Sequence, residues 1–152
     1  MQPMKILFIC VHNSARSQMA EAFVNSMCAG EWVAESAGIM PGSLNPLAVE
    51  AMGEVGIDIS KNPTRDVFNL WRSGAIFNRV VTVCDEANAE RCPVFPGTAI
   101  KEHWPFADPS QFTGSHEEKL AKTREVRDAI KARIAEWCEE NCTTGSLREQ
   151  GQ

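Results

Sequence analysis

The chain has 152 residues, of which 43% are hydrophobic and 23% charged, and its formal net charge is −5. These values are typical of one folded domain over residues 1–152, in which the polar tail 143–152 is expected to be frayed. The acidic balance argues against a broad nucleic-acid surface. No apolar run is long enough to cross a bilayer. From these two observations we expect neither nucleic acid nor a membrane as a partner.

The N-terminal stretch "MQPMKILFICVHN" holds one lysine, a short apolar run and no small-residue cleavage site. It is therefore interpreted as a first strand rather than a signal peptide, and the protein is expected to be cytoplasmic. The chain contains six cysteines. In a reducing compartment cysteines are seldom permanent cross-links, so some of the six are candidates for redox or ligand chemistry.

The predicted elements alternate between strands and helices. Apolar or β-branched runs predict four strands, at residues 5–10, 32–38, 79–84 and, more weakly, 99–104. Apolar residues at helical spacing predict three helices, at residues 17–30, over "PLAVEAMGEVG" and from a capping box formed by Ser115 and Glu118. The segment "VFNLWR" is ambiguous.

This alternation predicts an α/β fold, a three-layer sandwich in which helices cover both faces of a four-stranded parallel sheet. Ligands of such sheets bind beyond the carboxyl ends of the strands. Cys10 ends the first predicted strand, Cys84 ends the third, and Asp108 follows the fourth. All three side chains are therefore expected at one rim of the sheet.

The sequence "CVHNSARS" lies between the first predicted strand and the first predicted helix. Backbone N–H groups of such a loop can surround an anion at the positive end of the helix. The residues predicted to bind the anion are Val11, His12, Asn13, Ser14, Ala15 and Arg16. The planar fork of Arg16 suits two oxygens of a tetrahedral oxyanion.

Cys10 is expected to be largely thiolate near neutral pH in this field, with a hydrogen bond from Ser17. Asn13 suits a turn with positive φ, and His12 is either an exposed loop residue or a modifier of the anion site. Alternatively, Cys10 is a small buried hydrophobe and Arg16 a charge on the helix surface. The position of the motif, after a strand and before a helix, favours the oxyanion site.

Through "CVHNSARS" and the downstream "DPS", the chain resembles the low-molecular-weight protein tyrosine phosphatase superfamily over roughly residues 4–140. Within that superfamily it looks most like the thioredoxin-coupled arsenate reductases. Cys84 and Cys92 favour this interpretation, because reducing As(V) to As(III) takes two electrons and leaves a disulfide. A phosphatase needs neither thiol.

The resemblance implies a low-molecular-weight phosphatase-like fold, a single catalytic domain and a role for each site residue. Cys10 attacks arsenate, Asp108 is the general acid, and Cys84 then attacks the sulfur of Cys10 to release arsenite. Cys92 attacks Cys84, and thioredoxin reduces the resulting disulfide. Phosphate and sulfate are expected to compete for the oxyanion site, and no cofactor is expected. Alternatively, Asp108 is only a turn residue before Pro109, and the two later cysteines are a core and a surface residue.

Ser110 stands where the phosphatases usually carry an aromatic residue after "DP", which favours a small inorganic oxyanion over an aryl phosphate. Phe106 and Phe112 could substitute for that residue. Two alternatives therefore remain open: a phosphatase of the same fold, and a thiol-based sensor that binds arsenite or a soft metal without turnover.

Whether the protein binds a metal is unknown from the sequence. Some reductases of this type use a potassium ion, for which the candidate ligands here are Asn13, Glu21, Ser36 and Asp66. Cys138 and Cys142 are four residues apart, so they could bind a metalloid or each other, although frayed, incidental thiols are the simpler interpretation. Cys28 is expected to pack in the core.

Overall fold

The computed structural model of the chain describes residues 3–84 and 97–141. Its strands are β1 (Met4–Cys10), β2 (Trp32–Gly38), β3 (Arg79–Thr82) and β4 (Ile100–His103). Its helices are α1 (Arg16–Met27), α2 (Pro46–Glu54), α3 (Val67–Arg72) and α4 (His116–Asn141). A short 3-10 helix, Pro109–Gln111, lies between β4 and α4.

The four strands form one parallel sheet in the order β2-β1-β3-β4, which confirms the predicted architecture. Strand β1 lies at the centre, and its residues Ile6 to Ile9 are fully buried because helices cover both faces. Ile9 pairs with Ala37 of β2 and Thr82 of β3. The segments that follow these strands therefore leave the sheet side by side at its carboxyl rim.

Two apolar clusters lie on the two sides of the sheet. The larger contains Phe8, Met19 and Ile130 and joins β1 to α1, α2 and α4. The smaller contains Leu7 and Val67 and lies under α3. Neighbouring residues of β1 thus enter different clusters, as the alternation of side chains along a strand requires. This arrangement is the expected three-layer sandwich.

Some predicted boundaries were wrong. The strand predicted at residues 79–84 ends at Thr82, where pairing with β4 stops, so Cys84 lies two residues beyond the strand. The helix predicted to reach Gly30 ends at Met27, and Gly30 turns towards β2 with a φ of 94°. The ambiguous "VFNLWR" forms α3, because the Asp66 side chain accepts from the Phe68 N–H and caps the first turn.

Helix α4 begins at the predicted capping box. The Ser115 hydroxyl accepts from the Glu118 N–H, and the Glu118 carboxylate accepts from the Ser115 N–H. Cys92, Cys142 and the tail 143–152 lie outside the described residues. Within residues 3–84 and 97–141, no helix is long and apolar enough to cross a membrane.

Candidate active site

Hydrogen bonds to its carbonyl oxygens hold the loop between β1 and α1 in place. Every carbonyl oxygen from residue 11 to residue 15 accepts a hydrogen bond from a neighbouring group. The bonds are Met40 N to Val11 O (2.8 Å), Gly42 N to His12 O (3.0 Å), Gln18 Nε2 to Asn13 O (3.1 Å), Asn45 N to Ser14 O (2.9 Å) and Met19 N to Ala15 O (2.9 Å). With the carbonyl groups engaged outside, the amide N–H groups are left to line the inside of the loop, which is the geometry of an anion-binding nest.

The start of α1 supports the same conclusion. Ala15, the N-cap residue, makes no side-chain capping hydrogen bond, and the first turn of the helix contains no acidic residue. The N–H groups at the positive end of α1 are therefore not satisfied by a capping side chain. An oxyanion in the loop would supply the missing acceptors.

Gly38, at the end of β2, lets the loop lie this close to the sheet. A Cβ atom at this position would lie 2.8 Å from the Asn13 nitrogen and 2.8 Å from the Val11 oxygen, both of which are backbone atoms. No larger residue fits without moving the loop. The sequence identified Gly38 only as a strand end, because this contact joins two segments far apart in the chain.

The Cys10 thiol is 2% exposed and receives hydrogen bonds from the loop. The Asn13 N–H donates to its sulfur over 3.1 Å, and the Ser17 oxygen lies 2.9 Å from it. Asn13 Nδ2 donates to that same Ser17 oxygen over 2.7 Å. Because the amide can only donate, the hydroxyl hydrogen of Ser17 is left to point at the sulfur. Two hydrogen-bond donors are therefore directed at one sulfur.

Asn13 adopts the expected positive φ, 53°, and it is the only non-glycine residue among the described ranges that does so. This conformation turns its N–H towards the Cys10 sulfur while its side chain reaches Ser17. The two donors at the thiol therefore depend on the backbone conformation of one residue.

Arg16 is 2% exposed and makes contacts on the sheet rim. Its NH2 lies 3.4 Å from Asp108 Oδ2, while NH1 donates to the carbonyl oxygens of Phe106 (3.2 Å) and Val83 (3.4 Å). The guanidinium is therefore held by two segments, those after β3 and β4. This contact brings Asp108 to the anion loop, as the rim argument predicted.

The Asp108 side chain serves two structural purposes. Its Oδ1 accepts from the N–H (3.0 Å) and the hydroxyl (2.8 Å) of Ser110, which starts the short 3-10 helix after Pro109. Its Oδ2 faces Arg16. The turn residue and the site residue proposed from the sequence are thus the same residue in two contacts, and neither interpretation excludes the other.

Comparison with known proteins identifies the family. A family model described as low molecular weight phosphotyrosine protein phosphatase matches residues 5–150. The chain belongs to this family.

Relatives within this phosphatase family bear a different activity name. The chain is 46% identical over 136 residues to a Bacillus subtilis protein named arsenate reductase, a match that covers 88% of this chain and 94% of that one. It is 45% identical over 135 residues to a Shouchella clausii protein of the same name, with the same coverage. A solved structure of an arsenate reductase in the phosphate binding state is 30% identical, with a TM-score of 0.74, and the match covers 90% of this chain and 98% of that one.

Of the two downstream cysteines, the structure describes Cys84. Cys84 is fully buried and disulfide-bonded, so it is not a free thiol in this structure. It follows Val83, whose N–H donates to the Ile9 carbonyl and whose carbonyl accepts from Arg16. Cys84 therefore lies one residue from the Arg16 contact, in the segment that follows β3, the strand beside β1. Cys92 is outside the described residues.

The histidine and the aromatic residues near the loop have structural contacts. His12 Nδ1 lies 3.0 Å from the Met40 carbonyl oxygen, and because a carbonyl only accepts, this nitrogen carries the proton. This bond ties the loop to the segment after β2. Phe106 and Phe112 are half-buried and pack against the larger core cluster, so their rings contribute to the core beside the site.

Three of the four candidate potassium ligands, Asn13, Glu21 and Ser36, make hydrogen bonds to other protein groups. Asn13 Oδ1 accepts from the Arg65 N–H (2.9 Å) and from Gln18 Nε2 (3.2 Å). Glu21 Oε1 accepts from Ser36 (2.9 Å) and lies 3.6 Å from the Arg65 guanidinium. Burial raises the pKa of Glu21, and Arg65 opposes that effect. An arginine thus already supplies the positive charge beside this carboxyl group.

Cys28 and Cys138 are joined by a disulfide, with their Cα atoms 6.2 Å apart. The prediction that Cys138 is an incidental thiol in a frayed end was wrong, because α4 continues to Asn141 and packs against α1. Cys28 is buried in the core as expected, but it is also cross-linked. The spacing of Cys138 to Cys142 suggested the wrong partner, since the bonded cysteine lies 110 residues away.

Proposed function

We propose that the protein is an arsenate reductase that converts arsenate to arsenite and uses thioredoxin as its electron donor. Relatives that are 46% and 45% identical over most of the chain carry the name arsenate reductase. The single observation that carries the chemistry is Cys10, the one free cysteine among the described residues, which sits in an anion loop with donors on its sulfur.

In the first step, the Cys10 thiolate attacks the arsenic of an arsenate held by the N–H groups of residues 11–16 and by the guanidinium of Arg16. An S–As bond forms and an As–O bond breaks. The departing oxygen leaves as water after taking a proton from Asp108. Ser17 supports the thiolate before the attack, because its hydroxyl hydrogen points at the sulfur.

The contact between Arg16 and Asp108 changes when the anion binds. In the structure described above, NH2 of Arg16 lies 3.4 Å from Oδ2 of Asp108. An arsenate that takes the fork of Arg16 brings a second negative charge close to that carboxylate. The Asp108 carboxyl group therefore stands beside the bound oxyanion, where the reaction needs a general acid.

The two electrons come from a cysteine relay. Cys84 attacks the Cys10 sulfur, the electron pair of the S–As bond stays on arsenic, and As(III) departs as arsenite. Cys92 then attacks Cys84, which frees Cys10 and leaves a Cys84–Cys92 disulfide. Reduced thioredoxin returns this pair to thiols. The balance is one arsenate and one dithiol consumed for one arsenite, one water and one disulfide.

The remaining properties follow from this chemistry. Phosphate and sulfate compete with arsenate, because they share its tetrahedral shape and charge; a 30% identical arsenate reductase has been solved in a phosphate binding state. Residues 1–152 act as one catalytic domain in the cytoplasm, where thioredoxin is kept reduced. The reaction needs no cofactor, and neither nucleic acid nor a membrane is a partner.

The test compares Cys84→Ser and Cys92→Ser with the wild type in two assays. The first measures arsenite formed with thioredoxin, thioredoxin reductase and NADPH; the second measures hydrolysis of p-nitrophenyl phosphate. Both variants should lose arsenite formation and keep whatever hydrolysis the wild type has, because a phosphoryl transfer needs only Cys10, Arg16 and Asp108. Cys138→Ser is the matched control and should keep both activities.

Other outcomes would select the alternatives. Continued arsenite formation by Cys84→Ser or Cys92→Ser would contradict the relay. Hydrolysis without arsenite formation by the wild type would indicate a phosphatase, and tight arsenite binding without turnover would indicate a sensor. Mass-spectrometric mapping after one arsenate turnover should find a Cys84–Cys92 disulfide, and free thiols at both positions would contradict the mechanism.

A further inference from the structure

Gln18 carries a buried amide that the mechanism above does not use. The residue is 1% exposed and lies in the first turns of α1, close to the Cys10 loop. Its Nε2 lies within hydrogen-bond distance of three acceptors: Asn13 O (3.1 Å), Asn13 Oδ1 (3.2 Å) and Pro63 O (3.0 Å). Its Oε1 accepts from Asn62 Nδ2 over 3.2 Å. A buried amide with partners on both ends has a fixed orientation.

These bonds connect the segment around residues 62–65 to the reactive sulfur. Gln18 and the Arg65 N–H both donate to the side-chain oxygen of Asn13. With its oxygen fixed in this way, the other end of the Asn13 amide donates to Ser17, and Ser17 in turn reaches Cys10. Gln18 Nε2 also donates to the backbone carbonyl oxygen of Asn13. This bond restrains the backbone of Asn13, the residue with the positive φ.

We propose that Gln18 is a positioning residue for the Cys10 nucleophile, acting through Asn13 and Ser17. It touches neither the sulfur nor the anion loop's interior. It holds Asn13 in its left-handed conformation with the backbone N–H and the Ser17 hydroxyl both directed at the thiolate. Left-handed backbone is unfavourable for a residue with a Cβ, so the conformation persists only where its neighbours hold it.

Asn62 sets the direction of the Gln18 amide. A reversed amide would place Oε1 against the carbonyl oxygens of Asn13 and Pro63, and none of these atoms can donate. The donor of Asn62 favours the observed orientation from the opposite end. Asn62 therefore belongs to the same series of hydrogen bonds, one residue further from Cys10. Replacing Asn62 should affect Cys10 less than replacing Gln18 does.

The test is Gln18→Met, which keeps the length and approximate volume of the side chain and removes its hydrogen bonds. Alkylation of Cys10 by iodoacetamide is followed across the pH range by mass spectrometry. The pH profile should move to higher pH, with the rate near pH 7 falling roughly tenfold because the sulfur loses directed donors. Arsenite formation should fall at neutral pH and recover towards the wild-type value at alkaline pH.

Two further variants separate positioning from folding. Asn62→Ala should move the profile in the same direction by a smaller amount. Asn69→Ala is the matched control, because Asn69 is exposed on α3 and bonds Arg72 rather than the loop, and its profile should match the wild type. Thermal unfolding of each variant identifies any loss of folded protein.

An unchanged pH profile in both Gln18→Met and Asn62→Ala, or a loss of activity that is equal at every pH, would overturn the proposal. The inference rests on the proposed role of Cys10 as the nucleophile. The alkylation measurement needs no arsenate, so a wild-type protein that forms no arsenite would contradict the proposed function while leaving the effect of Gln18 on the thiol still measured.

Discussion

Cys10 and the Cys28–Cys138 disulfide lie towards opposite ends of α1 and differ in their chemistry. At the rim where α1 begins, the Cys10 sulfur is unbonded to other sulfurs and receives hydrogen bonds from Asn13 and Ser17. At the far end, Cys28 caps the helix and is cross-linked to Cys138 of α4. Cys10 and Cys28 are both buried, so exposure does not explain why one is a free thiol and the other joins two helices.

The difference lies in the neighbours. Two hydrogen-bond donors, the Asn13 N–H and the Ser17 hydroxyl, face the sulfur of Cys10. Both cysteines belong to the larger core cluster, but Cys28 is cross-linked to Cys138, next to Trp137, whose ring packs edge-on against Trp32 with centroids 4.7 Å apart. The two ends of one helix thus lie beside cysteines of different kinds, a hydrogen-bonded thiol and a cross-link.

The comparison predicts its largest effect for Cys10→Ser. Arsenite formation should fall by at least about 1,000-fold, because a serine hydroxyl is a far weaker nucleophile and the relay loses its first sulfur. The free energy of unfolding should change little, since serine is similar in size and two donors remain beside it. Steady-state assays with thioredoxin and urea unfolding measure the two effects. A variant that kept appreciable activity would place the nucleophile elsewhere.

The opposite pattern is expected for Cys138→Ser. Arsenite formation should be retained, and the free energy of unfolding should fall by about 2–4 kcal/mol, since a cross-link between residues 110 apart restricts the unfolded chain. Cys138 is the better choice for this test because Cys28 is fully buried, so a serine there would add a desolvation cost. Denaturant unfolding with and without reductant measures the effect, and reductant should destabilise the wild type more than the variant.

A third prediction concerns the fork of Arg16. Arg16→Lys keeps the charge but loses the planar donors, so kcat/KM for arsenate should fall roughly 10- to 100-fold. Arg124→Lys is the matched control: Arg124 forms a two-pronged ion pair with Glu54 across α2 and α4, away from the rim. Equal losses in the two variants would mean that the effect at Arg16 is one of stability rather than anion recognition.

Much of the rim could be predicted from the sequence. The apolar run before Cys10 and the helical spacing after Ser17 place a loop between a buried strand and a helix, and the parallel sheet then brings Asp108 to the same edge. Local patterns determine these features. They also favour a turn at Asn13, whose side chain tolerates positive φ.

Other features depend on contacts between distant segments, which no local pattern reveals. Gln18 is an ordinary polar helix residue in the sequence, and its bonds with Asn62 and Pro63 join segments 44 and 45 residues apart. The Cys28 and Cys138 pairing spans 110 residues, and the nearer Cys142 is a plausible but wrong partner by spacing. The end of β3 at Thr82 likewise depends on where β4 stops pairing.

The smallest predicted effect concerns the ion pairs that hold α4 against α2. Hydrogen bonds from Arg124, with a further contribution from Arg127, lower the pKa of Glu54 from 4.5 to about 2. A carboxyl group whose pKa is lowered by folding stabilises the folded state above its unfolded pKa, and that contribution is lost as the pH falls from about 4.5 towards 2. Glu54→Gln should therefore lower Tm slightly at neutral pH and reduce the dependence of Tm on pH in this window.

Glu125→Gln is the control for this measurement, because Glu125 is exposed on the same helix α4. The Glu54 pair is itself solvent-accessible, so its effect should stay well below that of the Cys138 cross-link. If Glu54→Gln instead matched Cys138→Ser in its loss of Tm, the far half of the molecule would be held by charge as much as by the disulfide. The disulfide would then no longer be the main difference in how the two ends of α1 are stabilised.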